Sequence, residues 1–379
     1  MTRPTVLAYY FPDWHGDPRN ARWFGDGWDE WRLLRSARPR FPGHRQPREP
    51  LRGYEDESDP VVAGEQMQLA LDSGIDGFLV DYYWYDDGDY LSGALDRGLL
   101  GTEQAAELKI ALMWANHELV DIFPSAAPDT AHATLKRGAI DRAAFERMVH
   151  HIVDRYFSSP RYLRVDGKPW FSLYEIGSLL EGLGGVDEAV DALTWFRQVV
   201  RDAGHPGLHL DAVVWGFGVL PTAVVVESPS ALISTLGFDS ATSYVWIHHT
   251  DVGAHRFPAG DWADVRRDAY RDYERYAREL PVPFHPNVTV GWDSSPRTAQ
   301  DRPFQRGGYP WIPTWDPDPA QFREGLEDAA RFLREHPTEH PVLTINAWNE
   351  WTEGSALLPD THHGMGFLEA VRSVFGPRN

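Results

Sequence analysis

A single (β/α)8 barrel, α/β in class, is the fold this sequence predicts, and three observations point to it. Short runs rich in β-branched and aromatic residues recur along the 379 residues, several near-continuously apolar, as strands buried on both faces of a parallel sheet are. Longer amphipathic stretches alternate with these runs, the order in which a barrel is wound. No linker, internal repeat or low-complexity tract divides the chain, so residues 1–379 read as one domain. An open, doubly wound sheet is the competing architecture, and no dinucleotide fingerprint or phosphate-binding loop follows any of the runs.

Val6–Phe11 is the first predicted strand, Ile75–Tyr83 the second and Lys109–Trp114 the third. Pro169–Tyr174, Leu208–Trp215 and Phe238–Tyr244 follow, and His285–Trp292 and Val342–Trp348 complete the set. Pro60–Ser73 predicts a helix, with Val61, Met67, Leu69 and Leu71 amid polar positions and Gly74 as its stop. Arg142–Phe157 carries Phe145, Met148, Ile152, Val153 and Tyr156 at helical spacing. Asp187–Ala203, Asp261–Leu280 and Asp318–Glu335 behave alike, and Gly366–Phe375 closes the chain. Between the first strand and the first helix lies a long irregular segment, Pro12–Asp59, holding Trp14, Trp23, Trp28 and Trp31. Loops of that length are functional or disordered, and the tryptophans argue for order. In a barrel this one lies over the C-terminal face, where barrel active sites sit.

Composition excludes whole classes of function. With no cysteine there is no disulfide, thiolate metal site, iron–sulfur cluster or cysteine nucleophile. The formal net charge of −20 repels phosphate backbones and anionic membranes, so no nucleic-acid or membrane partner is expected. No window approaches the ~18 apolar residues of a membrane span. Met1–Pro12 lacks an apolar signal-peptide core, so a soluble, cytoplasmic chain is the expectation. Oligomeric state is not readable.

The ends of the predicted strands collect chemistry. Tyr9 and Tyr10 end the first, Asp81 and Tyr82–Tyr85 the second, and Trp114, Asn116, His117 and Glu118 the third. Tyr174 and Glu175 end the fourth, Trp215 the fifth, Tyr244, Trp246 and His248 the sixth, and Trp292 and Asp293 the seventh. Aromatic rings interleaved with carboxylates and amides suit a sugar, whose C–H faces stack on rings while its hydroxyls need fixed partners. Any one of these residues also reads as barrel packing; the recurrence at nearly every strand end predicts a site. The expected substrate contacts are Tyr9, Tyr10, Tyr83, Trp84, Trp114, Asn116, His117, Tyr174, Tyr244, Trp292, Asn349 and Trp351.

The catalytic candidates are Glu350 and Glu353, three residues apart among tryptophans where the eighth strand opens into a loop. Desolvation by the rings raises one carboxyl so that it keeps its proton, while a better hydrogen-bonded partner stays ionised. That division of labour cuts glycosidic bonds. The competing reading is a helix N-terminus, with both glutamates favouring the dipole.

The run Asn349-Glu350-Trp351-Thr352-Glu353-Gly354 resembles the signature of glycoside hydrolase family 99 and its WbsX-like relatives, the latter often labelled lipopolysaccharide-biosynthesis proteins. The segments Trp23-Phe24-Gly25, Glu30-Trp31, Phe41-Pro42-Gly43-His44 and Gln46-Pro47 resemble the WbsX-like N-terminal block. Gly74–Phe78, Tyr83-Trp84, Trp114-Ala115-Asn116, Pro359-Asp360 and Gly366–Ala370 fit as well. The resemblance implies a barrel hydrolase that acts with retention on an α-linked, mannoside-like sugar through a 1,2-anhydro intermediate. Glu350 is then the base towards the 2-hydroxyl, Glu353 the acid/base and Tyr244 an active-site tyrosine. Two departures stand out: His117 where WbsX-like sequences commonly carry Glu, and Leu358 where an acidic residue precedes the Pro-Asp pair. Both positions are expected to shape substrate contacts.

No HExxH or comparable ligand run is present, and neither a metal nor a cofactor is expected. His44 and Gln46 are expected to brace the long loop, while His248, His249, His362 and His363 fall on the presumed active face. The implied partner is an oligosaccharide or glycoconjugate. Two alternatives stay open: a glycosyltransferase in polysaccharide biosynthesis, and a non-catalytic carbohydrate-binding barrel.

Overall fold

The computed structural model describes residues 3–128, 130–219 and 229–377. Its strands are β1 (Thr5–Tyr10), β2 (Gly77–Tyr85), β3 (Lys109–Trp114), β4 (Lys168–Leu173), β5 (His209–Val213), β6 (Ser240–Thr242), β7 (Phe284–His285 and Asn287–Thr289) and β8 (Val342–Asn346). All pair in parallel in chain order, and β8 returns to β1 with Leu343 opposite Val6 and Ile345 opposite Ala8. The sheet therefore closes into the predicted barrel. One predicted strand, His285–Trp292, is shorter and broken. Pro286 has no N–H to give, so Phe284–His285 pairs with β6 and Asn287–Thr289 with β8.

Strand periodicity decides which side chains face the axis. Leu7, Tyr9, Leu79, Ala111, Met113, Trp170 and Val213 fill the barrel interior. Their neighbours Val6, Ala8, Tyr10, Phe78, Val80 and Trp114 join the layer beneath the helices. A buried carboxylate on the axis, Asp211, accepts from Ser172 (2.9 Å), Ser240 (2.8 Å) and Thr242 (2.7 Å) and ties β4, β5 and β6 together.

Helices cover the outside: α3 (Pro60–Asp72), α4 (Arg142–Ile152, widening into a π turn through Phe157), α5 (Ile176–Leu183) and α6 (Val186–Asp202) come first. Then follow α7 (Pro229–Leu236), α8 (Trp262–Glu279), α9 (Pro319–Glu335) and α10 (Gly366–Phe375). Gly74 ends α3 as expected, at φ 89°, where a Cβ would sit 2.5 Å from the Gly376 carbonyl oxygen. Between β2 and β3 the helical element shrinks to the π turn Ala94–Leu99. The tryptophan-rich excursion after β1 is ordered and includes two short helices, α1 (Pro18–Phe24) and α2 (Trp31–Ser36). Trp14 is fully buried against Trp31, with ring centroids 4.1 Å apart. Among the described residues no helix is long and apolar enough to cross a membrane.

Candidate active site

Beyond β8 the chain is held by its own side chains. Asn349 accepts from the Phe11 backbone N–H (2.8 Å) and donates to the Phe11 carbonyl (2.8 Å) and to Glu57 (2.7 Å), which locks this segment to the end of β1. Glu350 then caps a 3-10 turn, Trp351–Glu353, in which side chains three apart lie one above the other. That geometry aims Glu350 and Glu353 the same way. Gly354 ends the turn at φ 66°, and a Cβ there would meet the Asp293 backbone N at 2.8 Å. The helix-dipole reading fails, because no longer helix follows until α10.

Arg297, from the loop after β7, lies between the two glutamates. Its Nη2 donates to Glu350 Oε1 (2.7 Å) and its Nη1 to Glu353 Oε1. Its Nε reaches Glu30 (2.8 Å), and Tyr309 donates to Glu353 Oε1 (2.8 Å). The bonds to the two catalytic candidates all end on Oε1. Burial pushes Glu350 well above the usual carboxylate range; Arg297 pulls it back, while Glu353, Glu30 and Asp81 add to the rise. Glu353 also rises through burial, held in check by Arg297 and the Tyr309 hydrogen bond. The resemblance implies Glu350 as base and Glu353 as acid/base. Burial raises both carboxyls, and Glu353 accepts from Tyr309 as well as from Arg297.

The two glutamates open into a cavity of roughly 980 Å³, its mouth included, at the C-terminal end of the barrel. Tyr83, His117, Tyr174, Tyr244 and Trp292 line it, as does His248. Asp81 on β2 accepts from the Tyr244 hydroxyl (3.0 Å) and carries a second, unpartnered oxygen. Trp292 Nε1 and His248 Nδ1 are likewise buried without partners among the described residues.

Seven of the expected substrate contacts lie elsewhere. Tyr9 fills the barrel axis and donates to the Ser243 carbonyl (3.1 Å). Tyr10, its neighbour on β1, points outward onto Phe78. Trp84 and Trp114 face the helix layer, Trp84 donating to the Ala144 carbonyl (3.2 Å) and Trp114 packing on Phe145. Asn116 bridges to the backbone of Glu175 in both directions (2.7 Å each). Asn349 is the clamp described above, and Trp351 packs against Trp31 behind the turn. His44 and Gln46 brace the long loop by bonding Asp293 (2.8 and 2.7 Å). His249 turns away to Ser243 (2.7 Å), and His362 and His363 gather at Arg45 and Asp360 outside the cavity.

Arg297, Glu30, Tyr309 and Asp13 line the cavity but were not singled out from the sequence. Glu30 stood inside the Glu30-Trp31 block and Asp81 at a strand end, so each carried a signal. Arg297 carried none: its partner Glu30 is 267 residues away.

The family model described as Glycosyltransferase WbsX matches residues 6–371. The chain belongs to this WbsX family. Two curated relatives, both described as Uncharacterized protein WxcX, come from strains of Xanthomonas campestris pv. campestris. They are 30% identical to it over 98% of its length. It covers 49% of each, so the chain spans about half the length of the curated relatives it matches. Among solved structures, the GH99 endo-alpha-mannosidase from Bacteroides thetaiotaomicron is similar with a TM-score of 0.59 at 15% identity, over 98% of this chain and 96% of that one. A protein described as glycoside hydrolase-like gives 0.62 at 14% identity, over 98% and 94%. At such identities the shared property is the barrel.

At the first departure from the WbsX-like pattern, His117 lies between Tyr83 and Tyr174 (5.8 Å to each ring) on the cavity wall. Burial lowers its pKa and keeps it neutral. Leu358 does not reach the cavity. It lines a small separate pocket with Trp31 and Trp351, so its expected role in substrate contact is corrected.

Proposed function

We propose that this WbsX-family chain is a single catalytic barrel that hydrolyses an α-linked, mannoside-like glycoside with retention, Glu353 serving as acid/base and Glu350 as base. The observation that carries the reading is the convergence of both carboxylates, bridged by Arg297, on one aromatic-walled cavity. In the first step Glu350 takes the proton of the sugar's 2-hydroxyl as that oxygen attacks the anomeric carbon. The bond to the leaving oxygen breaks and Glu353 supplies the proton. In the second step Glu353, now bare, takes a proton from water, which opens the 1,2-anhydro ring, and Glu350 returns its proton to the 2-oxygen. A substrate hydroxyl donating to Glu350 stabilises its anionic form and favours the proton on Glu353.

Glycosyl transfer from a nucleotide sugar, which the family description suggests, fits the cavity less well. Among the described residues Asp13, Glu30, Asp81, Glu118, Glu350 and Glu353 line it, and Arg297 is already paired to three of them. A diphosphate entering there meets acidic groups and an arginine whose donors are already taken, with no free cation on the described lining to hold it. The test is incubation of the purified protein with α- and β-linked aryl glycosides and oligosaccharides, with and without nucleotide sugars. The expected result is release of reducing sugar of retained anomeric configuration, independent of any nucleotide sugar. Product formation that requires a nucleotide sugar would replace this reading with the transferase. Binding without turnover, unchanged in Glu353→Gln, would replace it with the non-catalytic barrel.

A further inference from the structure

The cavity has two unlike sides. Towards β7, β8 and β1 it is acidic, with Asp13, Glu30, Glu350, Glu353, Arg297 and Tyr309. Towards β3, β5 and β6 it is largely aliphatic: Leu119, Val120, Ile122, Val219, Val245 and Ile247 line that side. The polar groups that share this arc are His117, Glu118, Tyr174, Tyr244 and His248. His117 spends Nδ1 on the Glu118 carbonyl (2.9 Å), and Tyr174 and His248 face each other at 3.5 Å. The Glu118 carboxylate lies 3.9 Å from Arg137. Met113 lines the cavity beside Asp81, which accepts from the Tyr244 hydroxyl (3.0 Å).

Such a wall is a poor match for a fully hydroxylated ring. Each hydroxyl pressed against it gives up water without gaining a partner. Methyl or methylene groups there gain instead, because the wall's own apolar surface is covered at the same time.

Resting on the glycoside-site reading above, we propose that the ligand of this cavity is a glycoside bearing a saturated hydrocarbon group seated on Val120, Ile122, Val245 and Ile247, while its polar edge faces Asp81 and the glutamates. That group has two sources, a ring methyl in place of a hydroxymethyl (a 6-deoxy sugar) or an alkyl aglycone. The chemistry the wall recognises is the same.

The experiment is calorimetric titration of Glu353→Gln with methyl α-mannoside, methyl 6-deoxy-α-mannoside and the octyl counterpart of each. At least one replacement is expected to tighten binding tenfold or more over methyl α-mannoside. A gain on deoxygenation assigns the wall to the sugar ring, and a gain on the octyl chain assigns it to the aglycone. Val120→Thr and Ile122→Thr, each introduced singly with folding checked by thermal melting, are expected to cut that gain at least threefold. Equal or weaker binding of all modified glycosides, no measurable binding of any, or a gain untouched by both wall variants would overturn the proposal. Because the readout is affinity in a variant lacking the proton donor, it stands apart from the hydrolysis assay. A catalytically silent protein that still prefers the apolar ligands would sink the hydrolase reading alone.

Discussion

Asp293 and the Glu350–Glu353 pair are neighbours, equally hidden from water, and they titrate in opposite directions. Asp293 is 2% exposed, Glu350 2% and Glu353 6%, and the Asp293 N–H donates to the Glu353 carbonyl (2.5 Å). Burial pushes all three up. At Asp293 it is outweighed by His44, by Arg48 and by the Gln46 hydrogen bond, and the carboxyl settles at about 2. At the pair, one arginine is divided among Glu30, Glu350 and Glu353, and burial wins. Burial therefore does not by itself make an acid reactive. The ratio of donors to carboxylates sets the direction, and it separates the brace holding the long loop from the pair proposed above as acid and base.

The largest effect expected from this contrast is at Glu350. Glu350→Gln is expected to lower kcat by at least ~10³-fold, about 4 kcal/mol of transition-state stabilisation, with thermal stability kept or increased. Steady-state kinetics beside a melting curve checks both halves. A variant that loses stability and activity together would put Glu350 with the brace.

Arg297→Met should be next. It leaves three buried carboxylates without their shared cation, a cost of ~3–5 kcal/mol at neutral pH. Because those carboxyls accept protons more readily once the cation is gone, part of the loss is expected to return in melts run at acidic pH. A deficit independent of pH would mean that lost packing, not charge, is responsible.

Asp293→Asn is expected to cost ~2–3 kcal/mol at pH 7, since its folded pKa is depressed from an unfolded value near 3.9. That stability is present above the unfolded pKa and lost as pH falls through about 2. Denaturant melts of wild type and variant should therefore converge towards pH 2. The smallest expected effect is at Tyr309→Phe. Removing the hydrogen bond that lowers Glu353 moves its pKa further up. The alkaline limb of kcat/KM should then shift to higher pH, because the proton donor is retained longer. A shift downward would reassign the limb to another group.

Much of the barrel was legible because buried parallel strands leave apolar runs that few other elements produce, as in Lys109–Trp114. The break in β7 was legible too, had Pro286 been weighed as a missing donor. The site was half legible. Glu350 and Glu353 are close in sequence, so one local turn brings them together. Tyr9 with Tyr10, and Tyr83 with Trp84, were read as pairs although strand neighbours face opposite sides, and only Tyr83 reaches the cavity. Arg297 and Glu30 meet only through the folded barrel, and no local pattern announces such a pair. The predicted Leu358 contact fails for a related reason, since a loop after the turn carries it behind Trp351.

The roles of the two glutamates are tested most directly by comparing Glu353→Gln and Glu350→Gln on an α-glycoside with a poor leaving group and on its dinitrophenyl counterpart, which needs no protonation to depart. Glu353→Gln is expected to lose at least ~10²-fold on the first and to recover most of it on the second, while Glu350→Gln stays impaired on both. Equal losses for the two variants on both substrates, or wild-type rates in either, would contradict the assignment of one proton donor and one base to this cavity.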